Sequence, residues 1–222
     1  VVDVHNVATS THFHQEWKHN MSVELPPKIK ATKNSSNETK IVWSPDYDKF
    51  PMGFGEDVKR MVQQIMVCAA LCAPSNVNVV YNKKTIKLRT LEHACRSFGG
   101  DPPFCKDCVV ADVGMIEVCV NHNPDSASIL GFVNTTICSE GTHIDYVISK
   151  IAKLVESSAN SKTKKGEAAV SVKPLWVRSC VSLVVRVRID KPRFRNQAKT
   201  SLDTPVKDFG VSWTPSGEFL KQ

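Results

Sequence analysis

Apolar residues recur at helical spacing in two segments of the chain. Over residues 56–72, apolar side chains lie three or four positions apart, and Pro74 follows the segment. Over residues 143–157 a second stripe begins after Thr142, which together with Asp145 resembles a capping box with an acid in the first turn. Both segments are predicted to be helices. Their stripes contain Val58, Met61, Val62, Ile65, Ala69 and Cys72, and then Ile144, Val147, Ile148, Ile151, Leu154 and Val155.

Shorter segments alternate between apolar and polar residues, which is typical of strands. We predict strands over residues 39–45, 76–89 (a hairpin turning at Asn82, Lys83 and Lys84), 115–120, 127–134 and 181–189. The strands at 115–120 and 127–134 are expected to be adjacent, with a turn at Asn123, Pro124 and Asp125. The last strand, VSLVVRVRI, should be half-buried. Strands, a long helix and a returning strand together predict an α+β layer.

Three polar segments interrupt these elements. Residues 22–40 are rich in Lys, Pro, Asn and Ser and are predicted to form an exposed loop, and residues 157–168 a flexible basic loop. The segment GGDPPF, residues 99–104, is the strongest loop signal, so a domain boundary is expected there. No internal repeat is visible.

The net charge of +7 is unevenly distributed. From residue 173 to 222 there are ten Lys and Arg against four Asp and Glu, whereas the rest of the chain has nineteen against eighteen. A basic C-terminal segment favours a polyanionic partner, nucleic acid first, although a solvated surface is the alternative. The candidate nucleic-acid contacts are Arg186, Arg188, Lys191, Arg193, Arg195 and Lys199.

Eight cysteines leave two alternatives to simple reduced thiols. Cys105 and Cys108 could form half of a zinc site, but no second Cys or His pair has suitable spacing, so no metal is expected. A disulfide framework would need an oxidising compartment, with which four Asn-x-Ser/Thr sequons agree. Several cysteines lie within apolar patterns, where Cys behaves as a small hydrophobe. Reduced thiols are therefore expected.

The chain shows no sign of a membrane or secretory segment. No apolar run approaches the roughly 18–20 residues that cross a bilayer. The first residues have neither an initiator Met nor a signal-peptide pattern, so we expect a segment from within a longer protein. The expected compartment is intracellular and reducing, and a nuclear, organellar or viral origin stays open.

Residues 131–147, GFVNTTICSEGTHIDYV, place four notable residues at a strand-to-helix junction: Asn134, Gly141, Thr142 and His143. This segment resembles S-F-V-N-x-x-x-T-x-x-G-G-T-H-V-D-Y-V in the transducer domain of eukaryotic-type (type IIA) DNA topoisomerase II. Further motifs similar to those of that family follow its order over nearly the whole chain. They are HQEWKHNM (14–21), WSPDYDKFPM (43–52), VVYNKKTIKL (79–88), VKPLWVR (172–178), KPRFRNQAKTSL (191–202) and KDFG (207–210).

The resemblance implies two parts and a tail. Residues 1–100 would be the closing portion of a GHKL-type α/β sandwich whose nucleotide-binding half is absent, and residues 105–212 a transducer, a ribosomal-S5-domain-2-like α+β layer. Residues 213–222 would be a C-terminal tail. The family implies ATP and Mg²⁺ as cofactors, which this chain alone is not expected to bind. It also implies DNA, a homodimer partner, the missing ATP-binding half and a cleavage core as partners.

The residues of the junction have architectural roles in this interpretation. Gly141 should permit a tight turn from strand to helix, and Thr142 should cap the helix. His143 is expected to be a hydrogen-bonded structural residue, because no acidic partner or second His lies nearby in sequence. Asn134 belongs to the same structural turn.

The departures from the family concern the nucleotide. Its Gln-x-Lys loop, which reaches the nucleotide phosphate, is Trp176-Val177-Arg178 here, and exchanging Lys for Arg is not conservative. The family's Asp-x-Gly-x-Gly turn and Gly-rich lid have no counterpart. We therefore expect no catalytic residue in this chain and regard Trp176 and Arg178 as the candidate nucleotide-sensing loop. The glycines of residues 1–100 are Gly53, Gly55, Gly99 and Gly100.

Three functions remain open at this stage. The chain could be a fragment of a type II DNA topoisomerase, in which ATP binding closes a gate and DNA strand passage follows. It could be a non-catalytic descendant of that region, kept as a structural or nucleic-acid-binding subunit of a larger assembly. A secreted Cys-rich glycoprotein is the third. In the first case the chain would be part of an ATP-hydrolysing DNA topoisomerase (an isomerase), and the isolated chain is expected to be inactive as an enzyme.

Overall fold

The computed structural model describes residues 1–46, 55–74, 76–97, 102–162 and 168–221. Parts of three predicted features, namely the WSPDYDKFPM motif, the GGDPPF loop and the basic loop 157–168, therefore lie outside the described residues. Contacts group the chain into two compact units, Val1–Lys59 and Arg60–Gln222. Within the described ranges, no helix has the length and apolar character that a membrane crossing requires.

The first unit is built on a four-stranded antiparallel sheet. Its spatial order is β5-β2-β1-β6. The predicted loop 22–40 is wrong in part, because β5 lies inside it and pairs with β2. The strands of this unit are β1 Val2–Asn6, β2 Thr11–Gln15, β3 Trp17–Lys18, β4 Val23–Glu24, β5 Lys28–Ala31 and β6 Glu38–Ile41, with β3 and β4 forming a separate pair.

The first predicted helix, α1, extends over Glu56–Cys72, as the periodicity indicated. Its buried residues are Cys68, Ala70 and Leu71, whereas Met61 and Ile65 of the predicted stripe are about half exposed. The stripe is therefore wrong in part. Burial follows the helix's neighbours, since Cys68 and Leu71 pack with residues of α2 (Leu91–Ser97) and of the sheet of the second unit.

The predicted hairpin is confirmed, although its strands are short. Strand β7 (Val80–Tyr81) pairs with β8 (Lys84–Thr85). Asn82 and Lys83 both have positive φ, which is the backbone of the tight turns that match strand twist.

The second unit contains a five-stranded sheet in the order β12-β11-β14-β10-β9. The predicted adjacency of β10 and β11 is wrong, because β14 lies between them, antiparallel to β10 and parallel to β11. A parallel neighbour needs a crossover, and the chain supplies one through its long helix. The strands are β9 Cys105–Val110, β10 Met115–His122, β11 Ser128–Val133, β12 Thr136–Ile137 and β14 Val181–Arg188, while β13 Glu140–Gly141 pairs separately with β15 Ser201–Leu202.

The long helix α3 extends over Thr142–Ser161, longer than predicted, and buries much of its apolar stripe on one face of the sheet. The opposite face packs against α1 and α2, where Leu71 and Cys95 meet Cys119 and Val184. The central strand β14 is consequently buried on both faces over most of its length, and the prediction of a half-buried strand is wrong. The sequence of β14 alone does not reveal that a second layer of helices covers the other face of the sheet.

The C-terminal residues complete this unit. Trp213 is fully buried, and its indole Nε1 donates to Asp107 Oδ2 at 3.1 Å. Phe219, in a final 3-10 turn (Phe219–Lys221), packs edge-on against Trp213. The division into residues 1–100, 105–212 and 213–222 stays a prediction.

Candidate functional site

Gly141 lies where β13 passes into α3, and no other residue fits there. Its φ is +120°, a conformation that side chains rarely adopt. A Cβ atom at this position would lie 2.3 Å from the carbonyl oxygen of Leu202 on the paired strand β15. The backbone approach between β13 and β15 therefore depends on glycine.

Thr142 does not cap the helix, so its predicted role is wrong. The N-cap position is Gly141, which has no side chain to offer. The hydroxyl of Thr142 instead donates to the carbonyl oxygen of Thr204, at 2.6 Å. Thr204 Oγ1 in turn accepts from the backbone N–H of Arg193, at 2.8 Å. These two hydrogen bonds connect the start of α3 to residues 188–199, here called the basic segment.

His143 is completely buried at the same junction. Its Nε2 lies 3.2 Å from the carbonyl oxygen of Cys138. Since a carbonyl can only accept, Nε2 must carry the proton. Burial lowers the pKa of His143 to about 4, so the ring is neutral at physiological pH. Gly131 makes room for the ring, because a Cβ there would lie 2.3 Å from Nε2.

Asn134 joins the end of β11 to the end of β14. Its side chain accepts from the backbone N–H of Ile189 at 3.0 Å and donates to the carbonyl oxygen of Ile189 at 3.2 Å. The Asn134 backbone N–H also donates to Val187, at 2.8 Å. Its φ of 56° is one that Asn tolerates better than most residues. The side chain thereby extends the strand pairing by one position.

The candidate nucleotide-sensing residues lie on a helix, α4 (Pro174–Cys180), and not on the predicted loop. Pro174 suits the first turn of a helix. Arg178 Nη2 lies 2.6 Å from Asp145 Oδ1 in the first turn of α3. Trp176 is 60% exposed, whereas Val177 between them is buried in the core. Helix α4 passes directly into β14, with no residue between Cys180 and Val181.

The six candidate nucleic-acid contacts fall into two groups. Arg186 is part-buried, where its guanidinium pairs with Glu117 and donates to the carbonyl oxygen of Leu71, so it is not presented to a ligand. The other five side chains are exposed, namely Arg188, Lys191, Arg193, Arg195 and Lys199. Two of these have weak partners. Arg195 Nε lies 3.2 Å from Asp203 Oδ1, and Arg193 Nη2 lies 3.7 Å from Asp208 Oδ2.

Two groups of side chains were missed at the sequence level. Asp145 was recognised only as an acid near a helix start, and its pairing with Arg178 needs the helix-to-helix contact that the structure provides. The second group is a cluster of three histidines and Asp3 on β1 and β2. Its signal was present as alternation, since His12-x-His14 places both rings on one face of a strand.

Four of the described glycines are committed to packing and offer no cradle to the phosphates of ATP. A nucleotide cradle needs backbone that a phosphate can approach, which glycines usually provide. A Cβ would already meet other protein atoms within 3.2 Å at Gly114, Gly131, Gly141 and Gly210, so these serve packing, whereas nothing lies within 4 Å of a Cβ at Gly55 and Gly217. As the described side chains stand, no group of three or more His, Cys, Asp and Glu is placed to hold a metal ion.

Comparison with known proteins identifies the family. The family model for DNA gyrase B matches residues 76–219. DNA topoisomerase 2 from Arabidopsis thaliana is 30% identical over 220 residues, which cover 95% of this chain and 14% of the plant protein. The probable DNA topoisomerase 2 of Dictyostelium discoideum is 26% identical over 215 residues, again covering 95% and 14%. The chain thus spans about a seventh of the length of these relatives.

Solved structures show the same fold. The ATPase and transducer domains of DNA topoisomerase II from Balamuthia mandrillaris align with a TM-score of 0.82 at 24% identity, over 99% of this chain and 56% of that one. The ATPase region of Saccharomyces cerevisiae topoisomerase II aligns with a TM-score of 0.77 at 23% identity, with the same coverage. The predicted architecture and the family resemblance are both confirmed. The chain belongs to the DNA gyrase B family, and its fold is that of the topoisomerase II ATPase and transducer structures that it resembles.

Proposed function

We propose that this chain acts within a type II DNA topoisomerase, where it couples ATP binding elsewhere in the protein to gate closure and DNA strand passage. The relatives and solved structures that it resembles are topoisomerases. The chain covers about half of the solved ATPase regions and about a seventh of the full-length relatives, which supports an ATP-binding half and a cleavage core outside these 222 residues. A homodimer would bring two such chains together to form the gate.

The connection of α4 to β14 is the observation that carries this proposal. Arg178 lies on α4, its neighbour Val177 is anchored in the core, and α4 continues without a loop into the central strand of the sheet. Any force on Arg178 would therefore reach both α3, through Asp145, and the middle of the sheet. A helix continuous with a central strand suits the transmission of a displacement.

Arg178 is also chemically suited to respond to an anion. A guanidinium binds phosphate oxygens in a bidentate manner and keeps its charge at all physiological pH values. When bound by the other half of the protein, ATP supplies the anionic phosphate. Asp145 is 63% exposed and competes for Arg178 only weakly, as exposed ion pairs do. If Arg178 exchanged the Asp145 carboxylate for an ATP phosphate, α4 would shift relative to α3.

A nucleic-acid surface is part of the same proposal. Five exposed cations lie in residues 188–199, the last residue of β14 and the segment after it, and the Thr142–Thr204–Arg193 bonds fix this basic segment to the start of α3. Such a surface favours the phosphate backbone without reading sequence. The basic segment is therefore proposed to contact the DNA that passes through the gate.

A non-catalytic structural subunit is the second candidate function. The observation that favours it is the exposure of two large apolar neighbours, Trp176 and Leu175, on α4. Exposed aromatic anchors are frequent at protein interfaces. In that case α4 would bind a subunit of a larger assembly, and the Arg178–Asp145 pair would have no signalling role.

Relaxation of supercoiled DNA by the full-length protein would separate the two functions. The proposal expects ATP-dependent relaxation by the full-length protein, and neither ATP binding nor hydrolysis by residues 1–222 alone, as followed by calorimetry and phosphate release. A full-length protein that leaves supercoiled DNA unchanged with ATP and Mg²⁺ would support the structural subunit. Micromolar ATP affinity of the isolated chain would contradict the assignment of the nucleotide site to the missing half.

A further inference from the structure

One face of the first sheet carries four metal-ligand side chains on two adjacent strands. The register places Asp3 of β1 directly opposite His14 of β2, and His5 directly opposite His12. Because side chains alternate along a strand and directly paired residues share a face, all four project from the same side. Directly opposite positions have Cβ atoms about 5 Å apart, a separation that two ligands of one ion can span.

Three donor atoms of this cluster already lie close together. Asp3 Oδ1 is 3.0 Å from His12 Nε2 and 2.7 Å from His14 Nδ1. Around a tetrahedral Zn²⁺ with bonds near 2.0 Å, neighbouring ligand atoms are about 3.3 Å apart. The existing separations are shorter by only a few tenths of an ångström. As the side chains stand, they bond to one another and do not converge on a common point.

His5 provides an independent observation. Its ring is stacked on His12, with centroids 4.2 Å apart and planes within 9°. Its Nδ1 is buried and has no hydrogen-bond partner in the described part of the chain. Buried polar atoms are nearly always paired, so an unpaired imidazole nitrogen beside the Asp3–His12–His14 group indicates a ligand for this nitrogen.

The remaining contacts match those of metal-binding histidines. Glu16 Oε1 lies 3.2 Å from His14 Nε2, which turns the other ring nitrogen, Nδ1, towards Asp3. Histidines that ligate metals commonly bond a carboxylate through the second nitrogen, which fixes the orientation of the ring. The side chains of Asp3, His12 and His14 are 23%, 28% and 27% exposed, so an ion could enter from solvent.

We propose that Asp3, His5, His12 and His14 form a site for Zn²⁺ or a similar late first-row divalent cation. Three imidazoles and one carboxylate are a ligand set that suits Zn²⁺. Binding needs side-chain rotations but no change of strand register. The ion takes the place of the hydrogen bonds between Asp3 and the two histidines. Each imidazole binds it as a neutral ring with its one proton on the other nitrogen, and only a ring that was charged releases a proton to the solvent. The bound ion would clamp β1 to β2.

Metal titration of the whole 222-residue chain, kept under reducing conditions, tests this site. We expect one equivalent of Zn²⁺ to bind, and Co²⁺ at the same site to give the strong visible absorption of tetrahedral coordination without the near-ultraviolet band of thiolate ligands. His12→Gln and His14→Gln should each weaken Zn²⁺ binding by more than about 100-fold, because each removes a ligand. Asp3→Asn should also weaken it, with the fold checked by circular dichroism.

Two variants serve as matched controls. His122→Gln removes an exposed histidine from the second unit, and Cys108→Ser removes the exposed thiol, which could itself bind zinc. Both should leave the affinity unchanged. The proposal is overturned if no Zn²⁺ binds, if His12→Gln and His14→Gln bind as tightly as the unaltered chain, or if Cys108→Ser abolishes binding.

Discussion

Two arginine–carboxylate pairs of the second unit have the same chemistry and opposite surroundings. Arg186 and Glu117 face each other on the paired strands β14 and β10, with side chains 19% and 22% exposed. Arg178 and Asp145 join α4 to α3, with side chains 37% and 63% exposed. The Arg186–Glu117 pair, here called the inner pair, cannot be separated without leaving a desolvated charge. In the Arg178–Asp145 pair, here called the outer pair, water can replace either partner and an anion can replace the carboxylate. Burial therefore distinguishes the structural arginine from the one available to a ligand.

The largest effect is expected at the inner pair. Replacing Glu117 with Gln leaves the Arg186 charge part-buried without its counter-ion, which should lower the free energy of unfolding by about 3 kcal/mol. Urea unfolding monitored by circular dichroism measures this change. In the double variant Glu117→Leu with Arg186→Met, the destabilisation should be much smaller, because no charge remains buried. Equal losses in the single and double variants would show that packing, and not the unpaired charge, determines the cost.

The buried ring of His143 should make the free energy of unfolding depend on pH. Its pKa is about 4 in the folded protein against the ordinary 6.5, so the unfolded chain binds the proton more readily between these values. The stability that comes from the neutral ring is complete above pH 6.5 and is lost as the pH falls towards 4, by about 3 kcal/mol in total.

The variant His143→Gln isolates this contribution, because its amide can still donate to Cys138. Between pH 7 and pH 4, its unfolding free energy should fall by about 3 kcal/mol less than that of the unaltered protein. Urea unfolding at several pH values gives the two curves. Parallel curves would mean that His143 does not titrate on unfolding.

The exposed basic segment should show a smaller effect, visible in the salt dependence of DNA binding. If Arg193 and Arg195 each neutralise one phosphate of duplex DNA, their double replacement with Ala reduces the log–log salt slope by about 1.8. Fluorescence anisotropy at several salt concentrations measures the slope. Lys153→Ala, an exposed cation on α3, is the matched control and should leave the slope unchanged. An unaltered slope in the double variant would remove these arginines from the interface.

The smallest effect is expected at the outer pair and its neighbour. Arg178→Ala should change the stability of the isolated chain by less than about 1 kcal/mol, as is typical of exposed ion pairs. Trp176→Ala should be equally mild there, because that side chain is mostly exposed. Thermal melts of both variants test this. A large loss in either would assign α4 a packing role within this chain.

The sequence predicted those elements whose pattern depends on local periodicity. The bounds of α1, the existence of α3 and the turn of the β7–β8 hairpin follow from spacing, capping and turn chemistry. The family could also be recognised from the sequence, because its motifs keep their order along the chain.

Features that depend on distant partners were not predictable in the same way. The insertion of β14 between β10 and β11 is a property of the crossover, and the burial of both faces of β14 depends on α1 and α2. Thr142 was assigned a cap because the sequence cannot show that Thr204 lies 2.6 Å from its hydroxyl. The exposure of Trp176 and the partner of Arg178 likewise require the packing of α4 on α3.

The ATPase rate of the full-length protein carrying Arg178→Ala tests the coupling role most directly, with Trp176→Ala as the neighbouring control. If Arg178 binds the nucleotide phosphate, its loss should cost about 2–4 kcal/mol of transition-state stabilisation, a fall of roughly 30- to 1,000-fold, while the melting temperature hardly changes. Trp176→Ala should retain most of the activity. A nearly unchanged rate for Arg178→Ala, together with loss of assembly or stability for Trp176→Ala, would contradict the coupling role and favour a structural subunit.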